Sequence, residues 1–397
     1  MNRRLIWLLG LLLPGASLSA QKVFTSYWNA PQEQVREEYS YYLEGQDTIR
    51  HGSYSIYYED GSLWQEGVYE HGLMQGTWKD NYANGELKQI LPFTDGLLNG
   101  KLLYYFPEGT LYQEANYRDD LTEGLVKTFH PNGSLAEQGY YKSGLAHGPL
   151  EAWYEDGTKR FVKQMQMGIE HGTQVYYYEN GKSRERSIKV LGQLQGEFKS
   201  YYKEQPEGTL MKICSYNQGK LNGRYRGFYP TGQLQISCTY LNGKLEGQWT
   251  KFYEELDQDS IPLIYEQGDY RQGIRTGIWQ TWYQTGTLYT EGSYKNRKFE
   301  GEWIIYHPNG LIKQNGTYAD GSASGEFFMY YPSGELKNKG LYLDDLKSGA
   351  WTTYYKSGKL MSVIPFEKGL RHGKAIAYNE SGVLTETKQY HRGKELH

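Results

Sequence analysis

This chain has few of the sequence features that characterise disulfide-rich, membrane-spanning or nucleic-acid-binding proteins. Only two of its 397 residues are cysteines, so neither a disulfide framework nor a cysteine-rich metal site can organise it. Hydrophobic residues make up 38% of the chain, and after residue 20 no apolar run approaches the length of a membrane span. The net charge of −3 is not the strongly positive charge that nucleic-acid-binding proteins carry. We therefore predict no nucleic-acid partner and no transmembrane span in the mature chain.

Glycine and tyrosine, in contrast, are abundant, with 48 and 40 residues. Fourteen glycines stand at one place in one motif, and eleven of the thirteen steps between them are 24 residues; the other two are 27 and 30. We call them the opening glycines: Gly52, Gly76, Gly100, Gly124, Gly148, Gly172, Gly196, Gly223, Gly247, Gly277, Gly301, Gly325, Gly349 and Gly373. A fixed period of this kind predicts a tandem repeat, in which each unit packs mainly against its neighbours.

One repeat has the pattern of a β-hairpin. In residues 52–74, two Tyr-rich runs are separated by Asp60-Gly61, and a second turn follows at His71-Gly72. Aromatic residues recur two, five and six positions after the opening glycine, and Leu or Ile recurs two positions after the first turn glycine. We predict an all-β fold, an elongated open antiparallel sheet of about 14 tandem β-hairpin repeats of 24 residues.

The first twenty residues follow a different pattern. Arg3 and Arg4 precede the short apolar run 5–13, and a small-residue segment ends at Ala20. This is the pattern of a secretory signal peptide. The predicted organisation is a signal peptide at 1–20, a lead-in with a partial repeat at 21–51 and the repeat array at 52–397. The expected location is periplasmic, outer-surface or extracellular.

The repeat motif resembles the MORN repeat, and more closely its bacterial variant, many members of which are labelled antitoxin-like. The best matching segments are 277–286 and 301–310, which read G-I-W-Q-T-W-Y-Q-T-G and G-E-W-I-I-Y-H-P-N-G. The resemblance implies an extended antiparallel sheet of MORN-like repeats without a catalytic centre of its own. Family members serve as scaffolds, membrane-associated modules and antitoxin-like proteins.

No constellation of residues for catalysis or metal binding interrupts the pattern. Four of the nine histidines occupy the position before an opening glycine, where other repeats carry Gln, Asn, Glu, Thr or Ser. That variety indicates a polar turn position, because a metal site needs a set of ligands at defined spacing. We predict no catalytic residues, no metal site and no cofactor.

The aromatic columns are the first candidate binding surface. Exposed rings can stack on sugars or receive hot-spot residues of a protein partner, whereas buried rings would only hold the sheet together. The candidate residues are Trp249, Trp279, Trp282, Trp303 and Trp351.

A basic patch in the fifth and sixth repeats is the second candidate surface. The pattern degenerates there, because the Leu column becomes Lys159 and Ser183. The patch is either a pair of solvated, degenerate hairpins or a dock for an acidic partner or anionic lipid. Its residues are Lys159, Arg160, Lys163, Lys182, Arg184, Arg186 and Lys189.

Two local features complete the predictions. Cys214 and Cys238 occupy equivalent positions of adjacent repeats, two strands or roughly 9.6 Å apart, which favours two packed thiols over a bridge. The six-residue insertion within 254–266 is expected to form a protruding loop.

The function favoured by these observations is an exported, non-enzymatic repeat protein that acts as a protein-binding or scaffold surface. The partner expected is another protein. The alternatives are a module that binds cell-envelope glycan or anionic lipid, and an antitoxin-like or immunity-like protein.

Overall fold

The computed structural model describes residues 21–29 and 33–396, and none of these residues lies in a helix. The predicted signal peptide lies outside the described residues. The chain divides into two units, residues 1–169 and 170–397. In the described residues of both units the strand pairings are antiparallel and join consecutive strands or pass over one two-residue strand, which confirms the all-β repeat fold.

The first unit contains fourteen strands within the described residues. They are β1 Lys22–Tyr27, β2 Val35–Glu44, β3 Asp47–Tyr57, β4 Leu63–Glu70, β5 Leu73–Asn81, β6 Leu87–Thr94, β7 Leu97–Leu98, β8 Gly100–Tyr105, β9 Leu111–Arg118, β10 Leu121–Thr122, β11 Gly124–Phe129, β12 Leu135–Lys142, β13 Leu145–Trp153 and β14 Lys159–Gln166. The lead-in supplies the hairpin β1–β2, and β2 pairs with β3 of the first full repeat.

The second unit has the same strand pattern, and its first strand, β15, begins at the boundary between the two units. Its strands are β15 Ile169–Tyr177, β16 Ser183–Val190, β17 Gln193–Leu194, β18 Gly196–Tyr201, β19 Leu210–Asn217, β20 Lys220–Phe228, β21 Leu234–Leu241, β22 Lys244–Leu245, β23 Gly247–Leu256, β24 Pro262–Arg271, β25 Ile274–Trp282, β26 Leu288–Lys295, β27 Lys298–Tyr306, β28 Ile312–Ala319, β29 Ser322–Tyr330, β30 Leu336–Leu343, β31 Leu346–Tyr354, β32 Leu360–Glu367, β33 Leu370–Arg371, β34 Gly373–Tyr378, β35 Leu384–His391 and β36 Lys394–Leu396.

The opening glycine marks a break in strand register. Between β4 and β5, Glu66 pairs with Lys79 but Val68 pairs with Gln75, so β5 carries extra residues around Gly76. Gly76 has φ 70°, and all fourteen opening glycines have positive φ. A side chain would be strained in this conformation, which explains why glycine recurs there.

The two turns of a repeat differ in backbone geometry. At the first turn, Gly61 N–H donates to Tyr58 O at 3.0 Å, and Gly61 has φ 88°. At the second turn, both central residues have positive φ, as at Ser143 (48°) and Gly144 (80°). This is the type I′ geometry, whose twist matches that of paired strands.

The insertion of the ninth repeat does not form the loop expected from sequence. Strands β23 and β24 continue outward until Leu256 pairs with Pro262. The Asp257 carboxylate closes the tip, where it accepts the backbone N–H of Ile261 at 2.7 Å. The extra residues therefore lengthen a hairpin, because an Asx turn at Asp257 completes the reversal.

Candidate binding surfaces

Four of the five tryptophans two positions after an opening glycine lie in slots, each against a glycine of the preceding repeat: Trp78, Trp279, Trp303 and Trp351. We call the sheet face that carries this position the indole face. Trp351 is buried, with 7% of its surface exposed. Its ring lies over the backbone of Gly340, where an added Cβ would be 2.3 Å from Cδ2. The Nε1–H donates to Leu341 O at 3.2 Å, and the Lys347 ammonium lies 4.1 Å from the ring centroid on its other side.

The same arrangement surrounds two other predicted binding residues. Trp279 is 2% exposed, lies over Gly268 and is covered by the Arg275 guanidinium at 3.9 Å. Trp303 lies over Gly292, and the Phe299 ring covers it at a centroid distance of 4.2 Å. Each Nε1–H donates to a backbone carbonyl of the preceding repeat. These contacts favour the packing interpretation for Trp279, Trp303 and Trp351.

The remaining two tryptophans of the candidate surface occupy different positions. Trp249 is half-buried in the ring row of the indole face, 5.7 Å from Trp279 and 6.3 Å from Tyr270 between centroids. Trp282 lies on the opposite face, where it pairs in register with Leu288. The structure therefore does not bring the five tryptophans together on one surface.

Residue size is matched between repeats at a spacing of eleven residues. A residue from one hairpin pairs with the indole-face residue of the next, and in several of these pairs a small first residue faces a larger second one. Register pairs of this type are Gly139 with Leu150, Cys214 with Tyr225, Gly292 with Trp303 and Gly316 with Phe327. The same spacing joins Ala115 to Val126 and, with the sizes reversed, Ile364 to Ala375. Sequence analysis identified the aromatic column but not its pairing with a small residue of the preceding repeat.

Tyrosine hydroxyls connect successive repeats on the side of the first turn. Tyr331 Oη donates to Tyr354 O at 2.9 Å, and Tyr355 Oη donates to Tyr378 O at 2.8 Å. His307 Nε2 makes the equivalent contact with Tyr330 O at 3.1 Å. The aromatic residue six positions after an opening glycine thus hydrogen-bonds to the backbone of the next repeat, and we call residues in this role fasteners.

Histidines before the opening glycines also have structural partners. The Nδ1 atoms of His51, His171 and His372 accept backbone N–H groups of the following repeat at 3.3–3.4 Å. In other repeats Gln75 and Glu123 accept the equivalent N–H groups. No cluster of three metal-ligating side chains occurs within residues 21–29 and 33–396.

The predicted basic residues of the first unit are engaged with neighbouring acids and rings. Lys159 Nζ lies 3.5 Å from Glu151, and an Arg160 guanidinium nitrogen lies 3.9 Å from Glu137. The Lys163 ammonium lies 4.6 Å from the Phe161 ring centroid. These side chains therefore offer less free charge than their sequence suggests.

In the second unit the four predicted residues divide among different contacts. Lys189 forms an ion pair with Glu170, and Lys182 Nζ donates to Gln205 O at 2.8 Å. The Arg184 guanidinium lies 5.2 Å from the Tyr176 ring centroid. Arg186 is exposed on the face opposite Lys189, because side chains alternate along β16. These four residues do not form one surface.

A row of exposed aliphatic residues, which sequence analysis missed, follows the second turns of the first unit. We call Leu73, Leu97, Leu121, Leu145 and Ile169 the aliphatic turn stripe. Each is 40–50% exposed, and each comes directly after a second turn. Leu73 and Leu145 lie against the next turn glycine, where an added Cβ would be 3.3–3.4 Å away. The sequence signal is a branched aliphatic residue at every 24th position from 73 to 169.

Cys214 and Cys238 are free, buried thiols, as predicted. Tyr225 pairs with Cys214 on one side and with Cys238 on the other, so a whole strand separates them. Burial raises the pKa of the Cys238 thiol to about 11 and also raises the pKa of Cys214.

The repeat geometry agrees with the comparison to known families. The MORN repeat variant matches ten segments: 50–71, 74–95, 98–119, 122–143, 170–187, 221–242, 275–296, 299–320, 323–344 and 347–368. These segments make up more than half of the chain, which therefore belongs to the MORN repeat variant family. Within the described residues, no helix is long and apolar enough to cross a membrane.

Comparisons with whole proteins add no functional argument. No curated protein matches the chain significantly. The crystal structure of TcdB2-TccC3 aligns with 94% of this chain at 10% identity and a TM-score of 0.17. The Photorhabdus luminescens Tc holotoxin pore aligns with 90% of it, at the same identity and TM-score. The chain spans only 23% and 22% of those chains.

Proposed function

We propose that this chain is an exported, non-enzymatic scaffold that binds another protein through the aliphatic turn stripe of its first unit. The single observation that carries the proposal is the exposure of five branched aliphatic side chains, each 24 residues after the last. Soluble proteins seldom expose contiguous apolar surface unless it receives a partner.

The fold does not require aliphatic residues at this position. In the second unit the residue after the second turn is aliphatic in three repeats, at Ile274, Leu346 and Leu370, and polar in the other six, at Gln193, Lys220, Lys244, Lys298, Ser322 and Lys394. These repeats keep the same turns and strand pairing. The aliphatic character of residues 73–169 therefore needs an explanation other than folding.

The geometry of the stripe suits a linear apolar partner. Equivalent residues of successive hairpins lie two strands apart, which is roughly 9.6 Å. A partner segment that crosses the turns would meet one aliphatic side chain at each step. The tryptophans of the indole face support partner binding less, because their rings are covered by Arg275, Phe299 and Lys347.

The test is affinity capture with the mature chain, followed by mass spectrometry. The stripe variant combines Leu97→Gln with Leu121→Gln, since glutamine occupies the same position at Gln193. The matched control combines Leu346→Gln with Leu370→Gln, which are equally exposed turn residues of the second unit. We expect wild type and control to capture the same protein and the stripe variant to lose about tenfold or more, because each removed apolar contact weakens binding. Equal capture by all three chains would contradict the proposal.

A further inference from the structure

Two arginines of the second unit line one cavity on the face opposite the indole face. Arg224 and Arg226 lie two residues apart on β20, so their side chains leave the sheet on the same side. The cavity has a volume of about 540 Å³ and extends over β21 and the start of β23. Ser237, Thr239, Gln248 and Thr250 contribute to its lining.

Neither guanidinium has a carboxylate partner in the described part of the chain, and both side chains are exposed. Two other arginines show what such a pair looks like: Arg275 lies 2.9 Å from Glu266 and Arg50 lies 3.1 Å from Glu37. The planar fork of arginine matches the oxygen geometry of phosphate and carboxylate groups. Two unpaired forks in one cavity are therefore available to an anion.

Hydroxyl groups lie directly across the strands from these arginines. Arg224 pairs in register with Thr239, and Arg226 pairs with Ser237, which in turn pairs with Thr250. Opposed residues of antiparallel strands have Cβ atoms about 4.5–5.5 Å apart. The cavity thus combines two guanidinium forks with hydroxyls that can donate to the oxygens of one tetrahedral anion.

One acidic residue in the cavity makes the binding of a highly charged anion less favourable. Glu246 also lines it, and its carboxylate accepts the backbone N–H of Gln272 at 2.8 Å. A ligand with several phosphates would bring negative charge close to this carboxylate. The cavity volume also exceeds that of a bare phosphate and leaves room for an organic group.

We infer that Arg224 and Arg226 form a binding site for a small soluble molecule with one phosphate monoester group. The two guanidinium groups bind the phosphate oxygens, with Ser237 and Thr239 as hydroxyl donors. The site belongs to the second unit and does not depend on the aliphatic turn stripe.

Calorimetric titration of the full mature chain at low salt tests the inference, with inorganic phosphate and glycerol 3-phosphate as probes. We expect Arg226→Gln to weaken binding about tenfold or more and Arg226→Lys to weaken it less, because lysine keeps the charge without the fork. Arg118→Gln, an exposed arginine of the first unit, is the matched control and should not change the affinity.

Glu246→Gln should have the opposite effect on phosphate affinity to Arg226→Gln. Glutamine already accepts the equivalent turn N–H at Gln75 and Gln195, at 2.8 and 2.9 Å, so the turn should be preserved. Loss of the carboxylate should tighten phosphate binding several-fold. The inference is overturned if neither soluble probe binds, or if Arg226→Gln and Arg118→Gln have the same affinity. Binding only to vesicles that contain phosphatidic acid would also overturn it.

Discussion

Substitution of Gly340 by alanine tests whether the tryptophan slots hold the repeats together. The new Cβ would lie 2.3 Å from Trp351 Cδ2, more than 1 Å inside an ordinary carbon–carbon contact of about 3.5–4.0 Å. The indole cannot retreat freely, because Lys347 covers its outer side and Leu341 O binds its Nε1–H. We expect a destabilisation of about 1–3 kcal/mol from overpacking.

A second substitution should relieve much of this cost. The pair Ala115 and Val126 occupies the equivalent slot in the first unit, and both residues are buried there. Trp351→Val alone should cost about 3 kcal/mol or more, because it leaves a void. In the double variant the alanine fills part of that void, so the combined cost should fall about 1 kcal/mol or more below the sum of the single costs.

Urea unfolding followed by circular dichroism measures all four chains of this cycle, and hydrogen exchange locates the effect. Because repeat arrays can unfold in parts, we expect loss of amide protection to centre on β30 and β31. Additive costs within about 0.5 kcal/mol would refute the proposed coupling between the two positions.

Three further predictions concern the fasteners and the thiols. Tyr331→Phe removes the bond to Tyr354 O and should cost about 0.5–1.5 kcal/mol. Phe106→Tyr adds a hydroxyl at the equivalent position and should stabilise the first unit. Thermal melts compare both variants with wild type, and the fastener role is refuted if Tyr331→Phe does not destabilise and Phe106→Tyr does not stabilise the chain. Cys214 and Cys238 should take up two alkyl labels in denaturant without reductant and few labels in the native state at pH 8; zero labels in denaturant would mean a disulfide. Burial raises the pKa of the Cys238 thiol to about 11, above the unfolded value of about 8.5. The stability that the protonated thiol contributes is therefore fully present below about pH 8.5 and should be lost as the pH rises through about 11. Urea midpoints that do not fall between pH 8, 10 and 11 would contradict this.

The fold could be predicted from sequence because its strongest constraint is local. Positive φ at Gly76 and its equivalents can be read from glycine periodicity alone, and so can the turn at Gly61. The lengthened hairpin at Asp257 was missed, because an Asx turn continues strand pairing and resembles a loop in composition.

The candidate surfaces were harder to predict, because exposure depends on contacts between repeats. The Trp351 column was visible, but its cover by Lys347 depends on how the bulge at Gly349 turns the chain back over the ring. The patch around Arg186 was predicted from proximity in sequence, whereas strand alternation separates Arg186 from Lys189. The aliphatic turn stripe had a clear signal, but an exposed leucine is recognised only once its turn has been placed.

Site-specific photocrosslinking tests the central proposal of a protein-binding aliphatic stripe most directly. A photoreactive amino acid replaces Leu121 in one chain and Lys244 in another, which occupy the same turn position in the first and second units. Both chains are irradiated in the cell fraction in which the protein is found, and the products are identified by mass spectrometry. The proposal predicts a discrete crosslinked polypeptide from position 121 and none from position 244. No product from position 121, or the same product from both positions, would contradict it.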